Sequence, residues 1–296
     1  MKVDLRRLVD KQLIHPPGFV ISNTHYLTMM GSIVYGCSSD TSDVDIYGFC
    51  IPPKDIIFPH LAGEIMGFGR QHKRFDQWQK HHVDDKEQGV QFDFQIFSIV
   101  KYFHLLMQNN PHVIDSLFVP QRCVLHCTQI GTMVREKRQM FLHKGAWHRF
   151  KGYAYSQLKK AKNKEPEGKR KAAVEKFGYD PKFCYHIVRL LDEVEQILTE
   201  QDIDLQRNRE QLKSIRRGEW SLEQIEEYFQ SKERELETLY TTSKLQHSPD
   251  EAAIKELLFQ CLEHHYGSLS DAVVVEGRDR ETLRQIKELC ERAGVK

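Results

Sequence analysis

The chain has 296 residues, 40% hydrophobic and 29% charged, which excludes a disordered, collagen-like or fibrous protein and leaves one large domain or two ordinary ones. With 43 basic and 42 acidic residues the net charge is +1, so any attraction to nucleic acid or anionic membrane must be local. The stretch Ile14 to Ser39, without Asp, Glu, Lys or Arg, is broken by His, Pro, Gly, Ser, Asn and Thr, and Met1 to Asp10 is charged; with an odd, scattered set of seven cysteines, the expectation is a cytoplasmic protein with no membrane partner and no secretory leader.

Glycine and proline divide the chain. Residues 1–125 hold eight Gly and seven Pro against nine and three in residues 126–296, so breakers concentrate in the first part. That part also carries strand-like runs, Tyr26 to Met30, Val44 to Ile51 and Val90 to Phe97. The rest reads as successive amphipathic helices. The predicted fold is α+β, a mixed-sheet domain over 1–125 and an all-α domain over 126–296, with the boundary near Val119–Thr128. Helix starts are marked at Ser221, with Gln224 three residues on and Trp220 and Ile225 placed as a staple, and at Ser248-Pro249-Asp250-Glu251.

Chemistry concentrates in Gly31 to Gly48. Asp43 and Asp45 stand two apart at the start of a β-prone run, so they share a strand face while Val44 and Ile46 take the buried one. Two carboxylates so close repel unless a cation lies between them, and oxygen donors suit Mg²⁺. Upstream, Gly31 lets backbone approach a ligand, and Ser32 offers a hydroxyl and an N–H at the entry of a short helix, a phosphate-cradling arrangement. Asp93 is the best third carboxylate: Val90, Phe92, Phe94 and Ile96 alternate with Gln91, Asp93 and Gln95. Asp84 and Asp85 compete, but in a charged, loop-like stretch.

Gly31-Ser32-x-x-Tyr35-Gly36 followed by Ser42-Asp43-x-Asp45 resembles the signature of the DNA polymerase β-like nucleotidyltransferases, and within them the RNA-repair-associated, RlaP-like branch. Phe97 to Phe103 leading to Asn109-Asn110-Pro111, and Gly178-Tyr179-Asp180-Pro181-Lys182 followed by His186 and Arg189, extend the resemblance over roughly residues 20–220. It implies a pair of Mg²⁺ ions, or Mn²⁺ in their place, on Asp43, Asp45 and Asp93. It also implies an NTP such as ATP held by Gly31, Ser32 and Ser42, and transfer of its NMP to an acceptor hydroxyl. The segment Gly63 to Gln88 has no place in the signature.

On a helical wheel Lys182, His186 and Arg189 fall within about 60° of one another, beside the apolar arc of Phe183, Ile187, Leu190, Leu191, Val194, Ile197 and Leu198. They form either a cleft-lining stripe that meets a triphosphate or an ordinary solvated flank, and the resemblance favours the first. Residues 149–176 carry ten cations against three acids, with Tyr153, Tyr155 and Phe177 for stacking. That segment reads as an RNA contact or as a plain solvated stretch, with Lys162 to Lys171 as a loop. Cys123, His126, Cys127 and His143 lack zinc-finger spacing and read as ordinary residues with buried thiols. His72, His81 and His82 either touch phosphate or stand exposed. The favoured acceptor is an RNA end; the alternatives are a protein hydroxyl and a nucleotide-binding module without turnover.

Overall fold

In the computed structural model, residues 3–38, 43–69, 71, 74–163, 169–267, 286, 289, 290 and 292 are described. Asp4 caps helix α1 (Leu5–Asp10), and Pro17 leads into α2 (Gly18–Ser22). Strand β1 (Thr24–Met30) runs into a 3-10 turn at Gly31–Ile33, and β2 (Val44–Cys50) returns beside it. After α3 (Lys54–Ile57) come β3 (Gln77–Asp85) and β4 (Val90–Ser98), then α4 (Ile99–Met107), α5 (Pro111–Phe118) and β5 (Val124–Cys127). The remainder is helical: α6 (Gln129–Glu136), α7 (Ala146–Asn163), α8 (Lys169–Phe177), α9 (Pro181–Glu200), α10 (Arg209–Arg216), α11 (Leu222–Thr242) and α12 (Glu251–Tyr266). The architecture is α+β, with one five-stranded sheet ordered β3-β4-β2-β1-β5.

The sheet is mixed because β2 and β4 pair in parallel while the other neighbours are antiparallel. Alternation along the strands sends two apolar sets to opposite faces. Leu27, Val44, Ile46, Phe92, Phe94 and Ile96 meet Leu5, Leu8, Ile14 and Val20 of the N-terminal helices. Tyr26, Met30, Phe49 and Phe97 join a second cluster that continues through α4, α5, α7, α9, α11 and α12. The division at 125/126 falls inside β5, which lies at the sheet edge beside β1. Among the described residues no helix is long and apolar enough to cross a membrane.

Ser221 forms the expected capping box with Gln224. At α12 the start shifts by two residues: Asp250, not Ser248, is the cap, and its carboxylate accepts from the Ala253 N–H at 3.0 Å. Asp84 and Asp85 lie in β3 and not in a loop; Asp85 is buried and accepts from Lys11 Nζ at 3.2 Å. The expected Lys162–Lys171 loop is helical on both sides, since Lys162 lies in the last turn of α7 and Lys171 belongs to α8; residues 164–168 and His72 lie outside the described residues. Cys123 is buried and Cys127 exposed, both as free thiols.

Candidate active site

The parallel register of β2 and β4 places Asp45 directly beside Asp93, with Val44 opposite Phe92 and Ile46 opposite Phe94 on the buried face. Asp43 precedes β2 by one residue. A cavity of about 520 Å³ opens over this carboxylate face, lined by Gly31, Ser32, Asp43, Asp45 and Asp93 together with Tyr35, His112, Lys182, Tyr185, His186 and Arg216. The sequence-derived acids and the Gly-Ser turn therefore meet in one place. Ser42 lies outside the described residues.

Gly31 is required by geometry. Its φ is +74°, and a Cβ there would stand 2.4 Å from Asp45 Oδ2. The absent side chain is the space that the carboxylate fills. The turn is fixed from outside: Gln206 Nε2 donates to Val34 O at 2.7 Å, and Arg216 donates to Cys37 O.

Burial pushes the Asp45 carboxyl up, and the neighbouring Asp93 and Asp43 push in the same direction against the pull of Lys182. Such mutual repulsion among oxygen donors is what a hard divalent cation relieves, so the donor set fits Mg²⁺. Among the described residues no three His, Cys, Asp or Glu side chains are already gathered as a metal-holding group. Asp93 is engaged elsewhere: Oδ1 accepts from the His82 N–H at 2.7 Å, and Oδ2 lies 3.4 Å from His81 Nδ1.

These contacts arise from an irregularity in β3. Lys80 pairs with Phe94 and Val83 with Phe92, so His81 and His82 together oppose Asp93 alone. That is a β-bulge, and His82 adopts φ +55° within it. The residues before Asp93 thus form an edge strand that holds the third acid.

The proposed cationic stripe on α9 divides. Lys182 is exposed and lines the cavity, and His186 lines it as well. Burial and then Arg189 drive the His186 imidazole well below its ordinary range, so it is neutral. His112, also in the lining, is pulled down to about 4, chiefly by burial. Arg189 does not face the cavity and is not on a solvated flank. It is 3% exposed, and its Nη1 donates to Tyr35 Oη at 2.8 Å, to Glu193 Oε1 at 2.9 Å and to Asp115 Oδ2. The reason is packing: α7, α10 and α11 all pack on α9, so the arc beside the apolar face is enclosed too. Tyr35 completes the cluster by donating to Asp115 Oδ2 at 2.8 Å. Through it, α9 and α5 grip the residue three positions after Ser32.

Sequence reading did not assign functional roles to Asp115, His112, Tyr185 or Arg216. Asp115 had a usable signal, the one charged residue in the mostly apolar Val113-Ile114-Asp115-Ser116-Leu117-Phe118. The others lie on separate helices and converge only through the tertiary fold.

A comparison with curated proteins finds no match. Among solved structures, a nucleotidyltransferase-like protein from Exiguobacterium sibiricum 255-15 is similar at 10% identity over 88% of this chain and 79% of that one. Its TM-score of 0.29 is too low to carry a conclusion. The model of the RNA repair pathway DNA polymerase beta family, RlaP, matches residues 3–260, and the chain belongs to that family.

Proposed function

We propose that the protein moves an NMP from an NTP to a hydroxyl at an RNA end, with Mg²⁺ or Mn²⁺. The observation that carries this reading is the register of Asp45 against Asp93 on adjacent parallel strands, facing a cavity shared with Asp43, Ser32 and Lys182. Asp43, Asp45 and Asp93 would hold the ions, which when bound would neutralise phosphate charge and acidify the acceptor hydroxyl. Gly31 leaves room for the Asp45 carboxylate against the turn, Ser32 offers its hydroxyl, and Lys182 supplies a positive charge on a flexible stem. Ser42 is assigned to the phosphates by its motif alone. Asp93 would also take the proton of the acceptor hydroxyl. The acceptor oxygen then forms a bond to the α-phosphorus, the bond to the bridging oxygen breaks, and pyrophosphate leaves. Catalysis is chiefly positioning and charge compensation. The family description and the cations of α7 support RNA as acceptor.

The test is transfer of label from α-labelled NTPs to RNA oligonucleotides and, in parallel, to whole-cell protein. Asp43→Ala combined with Asp45→Ala should abolish transfer without lowering the melting temperature, because the native state already disfavours a charged Asp45. Label on protein alone would change the acceptor class. Wild-type transfer by the double variant would overturn the metal-acid assignment.

A further inference from the structure

A second groove, of about 550 Å³, runs along α7. Its floor includes Arg149, Gly152, Tyr153 and Ser156, which recur at helical spacing and form one stripe. Lys160 continues the stripe, roughly 16 Å from Arg149 by helix rise. Helix α7 contains no acidic residue. Cations on its other flank are neutralised, Lys151 by Glu233 at 2.6 Å and Lys162 by Glu226 at 2.9 Å. On the groove side Arg149 donates, among the described residues, only to neutral partners, Gln108 O at 3.2 Å and Gln108 Oε1 at 3.3 Å, so its charge stays available.

Two features point to a ligand here. Gly152 stands in the helix interior, where glycine is disfavoured relative to alanine. Among the described residues no neighbour explains it: a Cβ at Gly152 would have nothing within 4 Å. The missing side chain keeps the groove open to a partner that comes close to the backbone. The second feature is location. The Tyr153 ring stands 6.1 Å from the His112 ring at 78°, and His112 lines the catalytic cavity. This aromatic contact joins the lining of the groove to the lining of the cavity.

We propose that this groove seats the acceptor strand, a single-stranded RNA with a base against Tyr153 and backbone phosphates on Arg149 and Lys160. The proposal rests on the reading of RNA as acceptor and adds where that strand lies. An unpaired strand fits because stacking on a lone tyrosine needs an exposed base face, and because the cations are spaced along the helix axis.

Gly152→Leu fills the groove without touching the catalytic cavity and adds helix propensity. In fluorescence-anisotropy titration of an end-labelled single-stranded RNA, without NTP, it should weaken binding about tenfold or more. Its melting temperature should not fall, and its affinity for an NTP with Mg²⁺ should be unchanged. Arg149→Ala should reduce the slope of log affinity against log salt by about 0.7. If Gly152→Leu binds RNA as wild type does, or loses RNA and NTP together, the groove is not the acceptor site. If wild type binds no RNA, both the groove and RNA as acceptor fall. Loss of RNA binding in Gly152→Leu from a wild type that transfers no nucleotide would leave the groove standing and overturn the catalytic reading alone.

Discussion

Arg189 has two carboxylates within reach, Asp115 and Glu193, and all three side chains are shut away from water. Burial raises both carboxyls, and the guanidinium opposes the rise. Removing it leaves buried acids without a counter-charge, so Arg189→Ala should cost about 3–5 kcal/mol in chemical denaturation. Without Arg189 both folded-state carboxyl pKa values rise further above their unfolded values. That penalty is full at high pH and vanishes as protonation becomes complete, so the gap to wild type should narrow as pH falls from about 8 toward about 5. A solvent-facing stripe would give no such loss and no such trend. Gly31 permits a sharper separation of strain from function. Gly31→Ala carries the strain of φ +74° and drives a methyl into Asp45. Gly36→Ala carries similar strain at φ +68°, but its methyl meets Arg209 at an ordinary 3.5 Å. Each should lose about 1–2 kcal/mol of stability, while only Gly31→Ala should lose transferase activity, by about a hundredfold or more, since a displaced acid no longer meets the reacting groups. Equal activity losses would show that the shape of the turn matters and the collision does not.

The bulge in β3 is a device of the element, because one extra residue turns a backbone N–H toward a side chain on the neighbouring strand. Deleting His81 should restore one-to-one pairing with β4, keep the fold, and release Asp93 from the His82 N–H. Transfer activity and Mn²⁺ affinity by calorimetry should both fall about tenfold or more. His82→Gly, which suits φ +55° and keeps the N–H, should preserve both and gain up to about 1 kcal/mol of stability. If the deletion variant binds Mn²⁺ as wild type does, the bulge only ends pairing. Why β1, β2 and β4 could be read from the sequence and β3 could not follows from their surroundings. Strand β4 has one apolar and one polar face, so its residues alternate and Asp93 stands out. Strand β3 lies at the sheet edge with most side chains in water, and its Gln-Trp-Gln-Lys-His-His run has no period for burial to impose. The acids and the Gly-Ser turn were legible because their chemistry is local to short segments. Arg189 was misjudged because a wheel assumes one buried face, whereas α9 is packed on several sides.

At the scale of the whole molecule, one apolar cluster runs from Tyr26 in the first strand to Leu262 in the last described helix, so sheet and helices share a core. The cavity lies where the two meet, which is how α9 and α10 come to hold a turn that follows β1. The parallel seam between β2 and β4 has a kinetic consequence. Strands β1 and β2 are antiparallel neighbours in sequence, and so are β3 and β4, so each pair forms from contacts close along the chain. The seam joins segments far apart along it, and such closures dominate folding times. Its closing brings Asp45 against Asp93, so the repulsion that prepares the site for a cation also opposes assembly of the sheet. Asp45→Asn should therefore refold faster than wild type on stopped-flow dilution from denaturant without divalent ions, by about fivefold if ~1 kcal/mol is relieved at the barrier. An unchanged refolding rate would place the seam's closure after the barrier. On this account the pair of acids proposed to serve the reaction also sets the speed at which the protein reaches its native state.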